Sequence, residues 1–119
     1  MTLVAVYGTL KQGHYNYERY LRGVSPVASA LVEIPFRMYA NGDYPMLVPD
    51  VDGERHRIRI EVFDVDDRKL RELDALEEPY GYWRESIPVE ELGRDVEVYL
   101  HPAPAPPGFS LVLSGDWRG

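Results

Sequence analysis

Cysteine is absent from the chain, which removes disulfides, thiolate zinc sites and a cysteine nucleophile together. Basic residues are the minority: 13 Lys and Arg against 20 Asp and Glu give a net charge of −7. A nucleic-acid binder needs clustered cations to meet the phosphate backbone, so no nucleic-acid partner is expected. No apolar run approaches the ~18 residues of a membrane span, and the opening MTLVAVYG lacks a basic, signal-like start. The expectation is therefore no membrane association and a cytoplasmic location. The three histidines, His14, His56 and His101, are far apart and fit no short metal-ligand spacing, so no metal site is expected. No serine stands in a G-x-S-x-G elbow. Acid–base chemistry in this chain must come mainly from carboxylates and from its nine tyrosines.

What is present reads as an ordinary globular composition, 45% hydrophobic and 28% charged over 119 residues, sized for one domain spanning 1–119. Leu3 to Tyr7 is a short apolar run ended by Gly8, which predicts a buried strand and then a loop, GTLKQGH. A short helix is expected over Asn16 to Leu21, closed by Gly23, and a strand over Val27 to Ile34. Pro35 interrupts that strand, which resumes at Phe36. Asn41-Gly42-Asp43 signals a turn, Tyr44 to Val48 is extended, and the chain turns again near Asp52-Gly53. His56 to Phe63 alternates, with Ile58, Ile60 and Val62 on one face and Arg57, Arg59 and Glu61 on the other.

Two more strands are expected, Tyr82 to Val89 and Asp95 to Leu100, with a turn near Gly93. Pro102 to Pro107 reads as a semi-rigid connector, and the tail from Phe109 packs back onto the body. Many short strands with two helices predict an α+β fold, its sheet curled into a small mixed β-barrel with flanking helices.

The residue with the strongest chemical signal is Glu77. Asp66 to Glu77 (DDRKLRELDALE) carries Leu70, Leu73 and Leu76 at helical spacing, with Asp66 as the N-cap. On a helical wheel Glu77 falls about 40° from the centre of the leucine stripe, while Asp74 and Glu78 lie about 100° and 140° away, toward solvent. A carboxyl on a buried stripe loses hydration, which favours its protonated form. The carbonyl dipoles at a helix C-terminus push the same way. The alternative is a frayed helix end with Glu77 turned out to water.

A second signal is Tyr7-Gly8-Thr9-Leu10 at the end of the first strand. Glycine there lets successive N–H groups converge on one anion, with Thr9 adding a hydroxyl; the plain alternative is a strand-to-loop turn. Tyr82 and Arg84 alternate with Trp83 and share a face. Tyr82 either lines a pocket or is a core tyrosine, and Arg84 pairs with an acid such as Asp74. Tyr44 and Trp117 read as structural.

Taken in order, Tyr7-Gly8-Thr9-Leu10-Lys11-Gln12-Gly13, then Asn16 and Leu21, Tyr44-Pro45, Leu73-Asp74-Ala75-Leu76-Glu77, Tyr82-Trp83-Arg84 and Ser114-Gly115-Asp116-Trp117 resemble the signature of the γ-glutamylcyclotransferase-like superfamily across nearly the whole chain. The resemblance implies an enzyme that converts a γ-glutamyl amine or amide to 5-oxoproline and a free amine. Glu77 would be the catalytic acid–base, and Tyr7, Gly8, Thr9 and Leu10 would hold the γ-glutamyl moiety, with Tyr82 beside them. It implies a small-molecule γ-glutamyl substrate and no metal or organic cofactor. The chain departs from the family at Glu78-Pro79, where a glycine usually follows the glutamate. A non-catalytic small-molecule binder of the same fold is the alternative.

Overall fold

The computed structural model describes residues 1–119. Eight strands and two helices follow in order: β1 (Thr2–Val6), α1 (Tyr15–Tyr20), β2 (Ala28–Ile34), β3 (Phe36–Ala40), β4 (Pro45–Pro49), β5 (His56–Val65), α2 (Asp67–Glu77), β6 (Trp83–Val89), β7 (Arg94–Leu100) and β8 (Ser110–Leu111). The expected elements are all present, with ends shifted by one or two residues. The two-residue β8 has no counterpart in the sequence pattern.

Five strands form a mixed sheet in the order β2-β5-β1-β7-β6, parallel only between β1 and β7. The sheet curls until β2 and β6 touch. Across that gap the Glu33 N–H donates to the Glu91 carboxylate at 2.7 Å. Pro35 has no N–H to continue a ladder, and the chain there leaves the first sheet for a second, β4-β3-β8. The His101 N–H donates to the Leu47 carbonyl at 2.8 Å and ties the end of β7 to β4. The result is an α+β fold with a curled mixed sheet and flanking helices, as the pattern predicted.

β1 is apolar on both sides because both of its faces are covered. Ala5 and Tyr7 face the inside of the curl with Ile58, Ile60, Val62, Val98 and Leu47. Val4 and Val6 face the helices with Phe63, Leu73, Leu21 and Tyr17. The second face of β5 is polar at Arg57, Arg59 and Glu61 and becomes apolar at Phe63 and Val65, where it runs beneath the helices. Helix α2 begins as expected, with the Asp66 carboxylate accepting from the Lys69 N–H at 2.8 Å. Leu73, fully buried, anchors α2 to the sheet, and its last residue is Glu77.

Candidate active site

The loop after β1 is fastened by its carbonyls. The Gly8 carbonyl accepts from the Lys11 N–H at 2.9 Å, and the Thr9 carbonyl from the Tyr17 N–H at 3.0 Å. The Asn16 side chain donates to the Thr9 hydroxyl at 2.8 Å. The N–H groups of Gly8, Thr9 and Leu10 have no acceptor within the protein, which is the condition for a backbone anion site. Gly8 is required by close approach: a Cβ there would lie 2.7 and 2.8 Å from the Pro45 ring. Pro45 is held in turn by its carbonyl, which accepts from the Tyr82 hydroxyl at 2.8 Å.

Behind the loop, Lys11 is a buried lysine whose Nζ donates to the Trp117 carbonyl at 2.6 Å and to Asp116 at 3.4 Å. Burying an ammonium is tolerated only with such partners. The Trp117 ring packs on His14 with centroids 4.9 Å apart. The segment Ser114–Trp117 thus clamps the loop from behind, and Trp117 is a core residue, as expected.

In front of the loop lies a cavity of about 530 Å³. Tyr7, Gly8, Thr9, Leu10, Glu77 and Tyr82 all line it, so the fold brings together the six residues that the sequence put forward for the site. Glu77 accepts no hydrogen bond from the protein; burial alone pushes its carboxyl up to about 7. The frayed, solvent-facing alternative for Glu77 does not occur. The tyrosine hydroxyls are committed elsewhere. Tyr7 donates to the Tyr99 carbonyl at 2.7 Å and accepts from the Leu47 N–H at 3.3 Å, while Tyr82 holds Pro45. Burial, followed by the neighbouring acidic groups, raises both phenols above their ordinary range. Among these groups Glu77 is the one whose proton affinity matches neutral pH.

Other residues of the cavity wall were not singled out. Tyr15 and Arg19, four apart on one face of α1, line the cavity with Asp43 and Tyr80. Tyr44, read from the sequence as structural, also lines it, with its ring edge-on to Tyr80 at 5.8 Å and to Phe109 at 5.5 Å. Tyr99 reaches the wall because β7 alternates: Val98 and Leu100 point inside the curl, which sends Tyr99 toward the helices. Tyr82 satisfies both alternatives, being buried and pocket-lining at once.

Asp74 corrects an expectation. It does not face solvent but is half-buried against the sheet, where Arg84 and Tyr99 meet it. The wheel described α2 alone and carried no information about the two strands beneath its outer edge. The expected pairing of Arg84 with Asp74 is present, at 2.9 Å. Elsewhere, Asp50, Glu54 and His56 bring ligand-type atoms within 4.8 Å of one another. There the Asp50 carboxylate already accepts from Arg37 Nε at 2.9 Å and lies 2.7 Å from His56 Nε2.

Comparison with known proteins gives a consistent picture. The family model described as "Gamma-glutamyl cyclotransferase, AIG2-like" matches residues 4–119. The chain is 32% identical to the "Putative gamma-glutamylcyclotransferase MJ1514" of Methanocaldococcus jannaschii, over 99% of this chain and 97% of that one. It is 34% identical to gamma-glutamylaminecyclotransferase B of Danio rerio over 87% of its length, spanning 57% of that relative. The crystal structure of an AIG2-like protein from Mus musculus superimposes with a TM-score of 0.71 at 28% identity, covering 99% of this chain and 88% of the mouse chain.

Proposed function

The chain belongs to the AIG2-like gamma-glutamyl cyclotransferase family, and from that premise we propose that it cyclises a γ-glutamyl amine or small γ-glutamyl amide to 5-oxoproline, releasing a free amine. The observation that carries this reading is the pairing, in one cavity, of a near-neutral Glu77 carboxyl with the acceptor-free amides of Gly8, Thr9 and Leu10.

In this mechanism the loop amides anchor the substrate's carboxylate. The α-ammonium gives a proton to the Glu77 carboxylate, and the freed amine attacks the γ-carbonyl carbon of the same molecule. A new carbon–nitrogen bond closes the five-membered lactam. Protonated Glu77 then returns its proton to the leaving nitrogen as the old carbon–nitrogen bond breaks. The ring nitrogen's remaining extra proton passes to water, and the released amine takes one up. No covalent enzyme intermediate is needed, in keeping with a chain that lacks cysteine. Holding the amine beside the carbonyl supplies the proximity advantage of an intramolecular reaction. A carboxyl near pH 7 can both accept and donate, where one at 4.5 would be a poor base.

The test is a panel of γ-glutamyl amines, amino acids and peptides, with chromatographic detection of 5-oxoproline. An α-N-acetylated version of each active compound should give none, because the nucleophile is blocked. Tight binding of the panel with no 5-oxoproline from any member would replace this reading with the non-catalytic binder.

A further inference from the structure

Glu77 stands at the last position of α2, where a helix is least constrained by its own hydrogen bonds. One turn earlier, Asp74 is gripped by the sheet. Its carboxylate accepts from Arg84 Nε at 2.9 Å and Nη2 at 3.2 Å, a fork that fixes both oxygens. The Tyr99 hydroxyl donates to the same group at 2.7 Å. Arg84 is itself held on its other side by Glu97 of β7, through Nη1. The Asp74 carbonyl also accepts from the Glu78 N–H, which closes the turn containing Glu77. Tyr99 lines the cavity and donates its hydroxyl to Asp74. The network therefore joins β6 and β7 to the turn that presents Glu77.

We infer that Asp74, Arg84 and Tyr99 are positioning residues for Glu77, locking the end of α2 so that the carboxyl faces the Gly8–Leu10 amides. This rests on the reading of Glu77 as the proton carrier, but the network can be tested without turnover. Leu73, fully buried, and Leu70 and Leu76 packed on the same core keep α2 docked, so loss of the network loosens the last turn without releasing the helix. Tyr7 from the loop, Tyr82 beside β6 and Tyr99 from β7 also face the cavity, and all three stay neutral near pH 7. Arg19 and Asp43 are exposed on its wall. Close behind the helix, the charges are Asp74, Arg84 and Glu97.

The experiment compares wild type with Asp74→Asn, Arg84→Gln and Arg84→Lys. Carboxyl-carbon NMR follows the titration of Glu77, and amide exchange is read at Glu77 and Glu78. Arg84→Gln and Arg84→Lys both lose the fork, and Asp74→Asn loses the charge it grips, so in all three the last turn loosens, exchange there quickens about tenfold, and water reaching Glu77 should lower its midpoint from near 7 toward the ordinary glutamate value. If the panel yields a substrate, kcat should fall in all three variants with KM nearly unchanged. Folded variants with the wild-type Glu77 midpoint and wild-type exchange would overturn the positioning role. An inactive wild type would overturn the proton-carrier reading and leave these NMR readings to decide the network.

Discussion

Replacing Glu77 with glutamine should make the folded protein more stable above neutral pH. A glutamate ordinarily titrates near 4.5, and burial pushes Glu77 to about 7. The folded state then holds the proton more tightly than the unfolded state, so stability present below pH 4.5 is lost as pH rises through 7. At 1.36 kcal/mol per unit, the loss attributable to this one group is about 3 kcal/mol. Glutamine does not titrate and escapes it. The difference in unfolding free energy between Glu77→Gln and wild type should therefore grow with pH, from a low plateau near pH 4 to a high one near pH 8. For a chain of this size that corresponds to about 10 °C in Tm. Urea melts of both proteins at half-unit intervals from pH 4 to 8.5 measure it, since every other titrating group cancels in the difference. A difference that stays flat across that range would show that Glu77 is solvated in the folded protein, and would refute the burial argument on which its chemistry depends.

Four further outcomes follow from the same geometry. The pH profile of 5-oxoproline release should show an acid limb with a midpoint near 7; a limb near 4.5 would contradict the desolvation of Glu77. Gly8→Ala drives a Cβ into the Pro45 ring at 2.7 Å and should destabilise by about 1–3 kcal/mol, with a larger loss of substrate affinity, read by melts and calorimetric titration. Tyr82→Phe frees the Pro45 carbonyl; about 1–3 kcal/mol of stability should go with it, and an unchanged melt would show that this bond does not hold Pro45. Gly115→Ala would place a Cβ 1.7 Å from the Arg57 carbonyl oxygen at a backbone φ of +67°. It should destabilise by more than about 3 kcal/mol and release the clamp on Lys11, visible as faster amide exchange in the Tyr7–Leu10 loop.

The parts of this molecule legible in the sequence are those governed by local periodicity. The leucine stripe placed Glu77 on the covered side of α2, and the alternation of Ile58, Ile60 and Val62 placed β5 on the inner core, because each pattern follows from one element's own geometry. Asp66 was readable as an N-cap for the same reason. Apart from the Arg84–Asp74 pair, contacts between elements far apart in sequence were not readable. Asp74 looked solvent-facing because its partners, Arg84 and Tyr99, come from strands 10 and 25 residues further on. Tyr15 on α1, Asp43 between β3 and β4, and Tyr80 after α2 share the cavity wall only because the fold brings these distant segments together. Glu78-Pro79, where the resemblance led to the expectation of a glycine, opens a 3₁₀ turn from Glu78 to Tyr80, and Tyr80 stands edge-on to Tyr44 at the cavity wall.

In the proposed cyclisation one carboxyl, Glu77, carries the proton. Single-turnover release of 5-oxoproline from an active γ-glutamyl compound at pH 8, wild type against Glu77→Gln, tests it most directly when each protein's Kd for the compound is measured beside it. The glutamine variant should be slower by about 10²–10⁴-fold, with Kd changed only a few-fold. Release by the glutamine variant at a rate close to that of wild type would contradict it.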